Sequence, residues 1–232
     1  MSDRIDRAVR NNVGWYELMF RAHGIPCRCG SSLWRADATP PRYHSWGVTL
    51  TPGEAVMPEF QDLQAGAPTP RGIKDSFDCL DLRPHGLIPL FSAHWIHRPP
   101  GALAGALALR RIGDDDALAA WEAGWAHGDE QAAQHPRQFP PTLLDDPTVD
   151  FVSVFDGGSL VGGCILNATD DVVGLSNTYV LADDPVSVWR TFVAAAERLH
   201  AGRAVVGYER GADFEHARAV GFEPVGTLCV WT

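Results

Sequence analysis

Lysine is all but missing from this sequence. Lys74 is the single lysine among 232 residues, and every other basic residue is an arginine. Acidic residues number 29 against 19 basic ones, for a net charge of −10. A broad basic face is excluded, and with it nucleic-acid binding by counterion release. Long apolar runs are missing too, so no stretch approaches the roughly 20 residues of a membrane-spanning helix. The N-terminal MSDRIDRAVRNN is polar and lacks the apolar centre of a signal peptide. A cytoplasmic location without membrane partners is therefore expected. Five cysteines (Cys27, Cys29, Cys79, Cys164, Cys229) make an odd number without metal-ligand spacing. Cys27 and Cys29 would share one face of a strand, but two thiols do not make a zinc site. Reduced, partly buried thiols are the expectation. No His-x-x-x-His, Gly-x-Ser-x-Gly or cysteine–histidine spacing is found, so neither a metal nor a hydrolase site is expected. Arginine in place of lysine, with many Ala, Gly and Pro, suggests a GC-rich bacterial genome.

What is present suffices for a real core: 45% apolar and 21% charged residues are ordinary for a globular chain. Ile5, Ala8, Val9, Val13, Tyr16, Met19 and Phe20 fall at helical spacing, with Ser2 or Asp3 as cap and Gly24 as stop. Strands are predicted at Leu33–Ala36 and Trp46–Leu50, and a short helix with an internal proline over 54–64. HRPPGALAGA (97–106) reads as a linker. A strand over 107–112 precedes a helix opened by Asp114-Asp115-Asp116, where carboxylates cap amides and suit the positive helix end. A short helix is expected around Thr142–Leu144. FVSVF (151–155) and LVGGCIL (160–166) form a hairpin across Asp156-Gly157-Gly158. VVGLSNTYV (172–180) follows as a strand. Asp184-Pro185 then caps a helix reaching about His200.

The C-terminal stretch Val205–Thr232 reads as strand, short helix, Gly-Phe corner and a broken strand. Gly72–Ile96 has the same layout: aligning Gly86 with Gly221 also aligns Pro89 with Pro224 and Gly72 with Gly207. Two related units in tandem are expected, a truncated one over 1–98 and a fuller one over 107–232 joined by 99–106, with a cleft between them. The fold class is α/β, a mixed sheet with helices on both faces.

The order of these elements resembles the GNAT superfamily of N-acyltransferases over about residues 101–232. FVSVFDGGSLVGGCIL resembles the family's antiparallel hairpin, VVGLSNTYV its central splayed strand, and ARAVGFEPVG its last helix and Gly-Phe corner. The resemblance implies an acyltransferase that moves an acetyl or other acyl group from a CoA thioester to a small-molecule amine. Acetyl-CoA or another acyl-CoA is then the co-substrate, held by Ser176, Thr178, Tyr179 and Val180. The family's glycine-rich pyrophosphate loop falls at LADDPVSVW (181–189), which has no glycine and carries Asp183, Asp184 and Pro185. Two carboxylates there repel a pyrophosphate. The helix tyrosine that often serves as general acid corresponds to Ala217.

Several residues could carry chemistry. Asn177 could hold a carbonyl oxygen, Glu209 could accept an amine proton and Tyr208 could return one to a thiolate. Arg210 could bind a carboxylate or phosphate. A Ser-Asn strand end and a Glu-Arg surface pair are equally available readings. Lys74, Asp75 and Ser76 hold the corresponding place in the first segment; Asp75 and Ser76 are read as substrate-binding or as helix caps. Trp121, Glu122 and Trp125 are placed beside the acceptor, where an exposed tryptophan could take an aromatic or cationic group. Two other functions stay open: a non-catalytic binding domain, and a biosynthetic enzyme with a different donor or reaction.

Overall fold

The computed structural model describes residues 3–232; of the two cap candidates, Ser2 lies outside them. In chain order the elements are α1 (Asp3–Ala22), β1 (Cys27–Cys29), β2 (Leu33–Ala36), β3 (Gly47–Thr49), α2 (Met57–Gln64), β4 (Ile73–Asp75), β5 (Pro89–Arg98), β6 (Ala108–Arg111), α3 (Asp115–Trp125), β7 (Val149–Asp156), β8 (Ser159–Thr169), β9 (Val172–Val180), α4 (Pro185–Leu199), β10 (Ala204–Glu209), α5 (Gly211–Ala219) and β11 (Glu223–Trp231). Short 3-10 turns lie at Glu54–Val56, Arg83–His85, Ala132–Gln134 and Pro141–Asp145. No helix among the described residues is long and apolar enough to cross a membrane. The chain packs as two compact units, one running to Trp95 and taking in Pro224–Thr232, the other Ile96–Glu223.

In the first unit the strand order is β1-β2-β3-β4-β11-β5. The β3–β4 pairing is parallel and those of β1–β2, β2–β3 and β4–β11 are antiparallel. Helix α1 buries all seven residues of its apolar stripe, and Tyr16 and Phe20 meet the buried Trp34 edge-on. Pro58 is tolerated because it falls in the first turn of α2, where no amide partner is needed. Between β4 and β5 the expected helix is replaced by a loop and a 3-10 turn. The buried Asp75 carboxylate explains this: it accepts the amides of Phe77, Cys79 and Leu80 and bends the chain back on itself.

Lys74 is buried in this unit, its ammonium 3.0 Å from Asn12 Oδ1 and 4.7 Å from the centre of the Tyr16 ring. Desolvation pulls its pKa down to about 7. The unfolded chain therefore holds this proton up to a higher pH than the folded one, and Lys74 adds stability as pH rises from about 7 to 10.5. Urea midpoints of the natural chain and Lys74→Met across that window should diverge in favour of the natural chain, at up to about 1.4 kcal/mol per pH unit. Parallel profiles would show that the ammonium is not desolvated.

In the second unit the order is β10-β9-β8-β7-β6, with β9–β10 parallel and the rest antiparallel. The β7–β8 hairpin turns at Gly157 and Gly158, both at positive φ (54° and 91°), as a two-residue turn between right-twisted strands requires. Helix α3 begins at the Asp114 cap, whose Oδ1 accepts the Ala117 amide at 2.8 Å. Alternation along β7 divides the unit's core. Val152 and Val154 pack with Trp189 and Phe192 of α4. Phe151 points the other way and meets Trp121 of α3 edge-on. The sheet is thus mixed and covered by a helix on each face, as expected.

Candidate active site

Strand β9 changes character midway. Val172 to Leu175 are buried, and Ser176 to Val180 are half-buried. Its pairing with β10 runs over Val172–Ala204, Val173–Val205 and Gly174–Val206 and stops there, although both strands continue. On its other edge β9 stays paired with β8 as far as Val180–Gly162. That ladder contains a bulge, with Asn177 and Thr178 of β9 together opposite Cys164. Asn177 adopts φ 50°, a left-handed conformation that asparagine takes more readily than other side chains. The bulge reverses the alternation. Without it Tyr179 would share the face of Val173 and Leu175; with it Tyr179 lies on the α3 face against Trp121, and Val180 packs on the α4 side.

The end of β10 meets this segment. Thr178 Oγ1 donates to Glu209 Oε1 at 3.1 Å. Burial, reinforced by the charge of Asp213 and opposed by the Thr178 bond, pushes the Glu209 carboxyl up to about 8. Asp213 lies in the first turn of α5. Tyr208 is half-buried, and Arg210 is exposed at the residue that precedes α5.

Five predicted residues therefore come from adjoining parts of β9 and β10: Ser176, Asn177, Thr178, Tyr208 and Glu209. Ser176 and Asn177 bond one another through Nδ2 and Oγ at 3.2 Å. Tyr179 is turned elsewhere. Its ring fits beside Gly163 and Gly124, where a Cβ would come within 2.6 and 2.9 Å of it, and its buried hydroxyl has no hydrogen-bond partner. Burial raises its pKa, so the phenol stays protonated.

The placement of Trp121 corrects the expectation of an acceptor contact. It is fully buried, donates its indole N–H to the Val152 carbonyl at 2.9 Å, and meets Phe139, Phe151 and Tyr179 edge-on. Glu122 is likewise engaged: its carboxylate accepts the amides of Gln138 and Phe139 and pairs with Arg137, so it secures the loop beneath α3. Trp125 is half-buried against Phe139. Asp75 and Ser76 belong to the first unit, where Asp75 serves the turn described above.

Sequence reading missed two partners of Glu209. Thr178 reads from sequence as a donor-binding residue, and Asp213 as an ordinary first-turn acid of α5. The four-residue spacing from Glu209 to Asp213 across a strand-to-helix turn was the available signal. Among the described residues no group of three or more His, Cys, Asp or Glu could hold a metal.

Comparison with solved structures gives this geometry a context. A GCN5-related N-acetyltransferase from Kribbella flavida superposes with a TM-score of 0.66 over 97% of this chain and 94% of its own, at 16% identity. The fold is GNAT-like. A GCN5-related N-acetyltransferase-like protein from Streptococcus suis matches over the whole of both chains with a TM-score of 0.54 and 12% identity. A conserved protein of unknown function from Staphylococcus epidermidis matches over 88% of this chain and 91% of its own, with a TM-score of 0.61 and 12% identity. No family model matches this sequence, and no curated protein does. In a GNAT-like fold the implied donor is an acyl-CoA, whose pyrophosphate would sit at the N-terminus of α4. The residues there do not fit it. Asp184 caps α4 with its own carboxylate, and Pro185 contributes no amide. Ala217, in the place of the family's tyrosine, is fully buried.

Proposed function

We propose that this chain transfers an acyl group from a thioester to a small-molecule amine by direct attack. The observation that carries this reading is the parting of β9 from β10 after Gly174 and Val206, with a carboxyl of raised proton affinity, Glu209, beside the gap. Main-chain groups of β9 beyond Leu175 have no ladder partner in β10 and can grip an extended, amide-bearing arm as a neighbouring strand would. Asn177 polarises the thioester carbonyl. Glu209 first takes one proton from the charged amine, the freed nitrogen bonds to that carbon, the C–S bond breaks, and the second nitrogen proton is relayed through Tyr208, which protonates the departing thiolate. An amine is fully charged at neutral pH, and a carboxylate with a pKa about 8 is a better match for its proton than one near 4.5.

The test is a mass-spectrometric screen of primary amines with acetyl thioesters, run on the natural chain and on Glu209→Gln. Acylated products that depend on Glu209 are expected. No product from any amine, together with no thioester binding in calorimetry, would favour the second reading, a GNAT-like binding domain. The buried Ala217 and the self-capped α4 are the observations on that side.

A further inference from the structure

The first turn of helix α4 is poorly equipped to bind a phosphate. Of its first-turn residues, Pro185 carries no N–H, and Ser187 donates both its amide (3.2 Å) and its hydroxyl (2.6 Å) to the Asp184 carboxylate. A helix N-terminus attracts anions through unpaired amides and the positive end of its dipole. Here both are already answered by a side chain of the helix itself. The Ser187 bonds, led by the hydroxyl, hold the Asp184 carboxyl below the ordinary range, so a negative charge stands there at neutral pH. Asp183 precedes it and Arg190 already interacts with it. A second, diphosphate anion would have to displace the cap and then face two carboxylates.

The edge of β9 offers the opposite. Past Leu175 it presents main-chain groups with no ladder partner in β10, which suit a neutral chain of amides ending in a thioester. We propose that the donor is recognised by its acyl-pantetheine arm alone, with no nucleoside diphosphate bound at α4. This rests on the acyl-transfer reading above and narrows its donor. Free acyl-pantetheine, an acyl-CoA whose nucleotide stays in solvent, and a carrier protein bearing the same arm all share that chemistry.

Calorimetry on the full chain with CoA, pantetheine and 3′-phosphoadenosine 5′-diphosphate tests it. CoA and pantetheine should bind within about threefold of one another, a difference below 1 kcal/mol, and the nucleotide should displace neither. CoA binding more tightly than that, or displacement by the nucleotide, would overturn the inference and leave acyl transfer standing. If neither thiol binds and no amine is acylated, the acyl-transfer reading itself fails. The double variant Asp183→Asn, Asp184→Asn keeps a competent cap but removes both charges; it should shift preference toward CoA, and an unchanged preference would refute the charge argument. Turnover with acetyl-CoA, acetyl-pantetheine and an acetylated carrier domain separates the sources: equal rates for the first two show that the arm suffices, and a faster carrier identifies the carrier as the source of the arm.

Discussion

Glu209→Gln should lower kcat/KM for acyl transfer by about 10²–10⁴-fold while leaving the fold intact. The substitution is isosteric and keeps an acceptor oxygen for Thr178 Oγ1, so only the proton-accepting capacity is lost. The pH dependence makes the test specific. A base with a pKa about 8 is mostly protonated at pH 7, so activity of the natural chain should climb tenfold per unit below that value and level off above it. The variant should lack this limb. Asp213→Asn removes the neighbouring charge that helps raise Glu209 and should move the limb to lower pH, an effect that a purely structural role for Asp213 would not produce. Stability should change in the opposite direction. A carboxyl whose folded pKa lies above its unfolded value favours the fold while protonated, and that contribution is lost as pH rises through about 8. Above pH 8 the glutamine variant should therefore melt higher than the natural chain. An unchanged rate and a flat profile in both proteins would remove Glu209 from the chemistry.

Trp121→Ala should destabilise the protein by about 3–5 kcal/mol, read from urea midpoints. The indole is fully buried, and three aromatic partners lie with ring centres 5.1–5.3 Å away. Its removal would leave a cavity that β7, β8 and α3 are too well tied to close. It would also remove the indole N–H that the Val152 carbonyl accepts and release Tyr179, which leans on the ring. Trp121→Phe should recover most of the packing but not the hydrogen bond, for an intermediate loss. Trp125→Ala should cost less, because Trp125 is only half-buried. If Trp121→Ala were tolerated within about 1 kcal/mol while amine affinity fell, an acceptor contact would be restored to Trp121.

The two tryptophans show where sequence reading reached its limit. Helical spacing put Trp121 and Trp125 on one stripe of α3, and that is correct. Which of them faces the sheet depends on the rotation of α3 against Phe139, Phe151 and Tyr179, and those residues arrive from 14 to 58 positions further along the chain. Glu122 lies between the tryptophans, a position that by sequence alone suggests an acceptor contact. Its backbone partners at Gln138 and Phe139 come from a loop whose course no local signal predicts.

Local chemistry alone determined much of this protein. The period of the apolar residues set α1, β7 to β9 and α4; Asp114 and Asp184 marked helix starts; Gly157-Gly158 set the hairpin. The closure of α4 to anions also needs only residues 184–187, because a cap and a proline act within one turn. The tertiary structure alone decided what depends on distant neighbours. The bulge opposite Cys164 sends Tyr179 to the α3 face, β10 leaves β9 after three pairs, and burial with Asp213 gives Glu209 its proton affinity. Burial likewise weakens the hold of Lys74 on its proton. Strand register and desolvation are set by whatever packs alongside, and that information is spread across the whole chain.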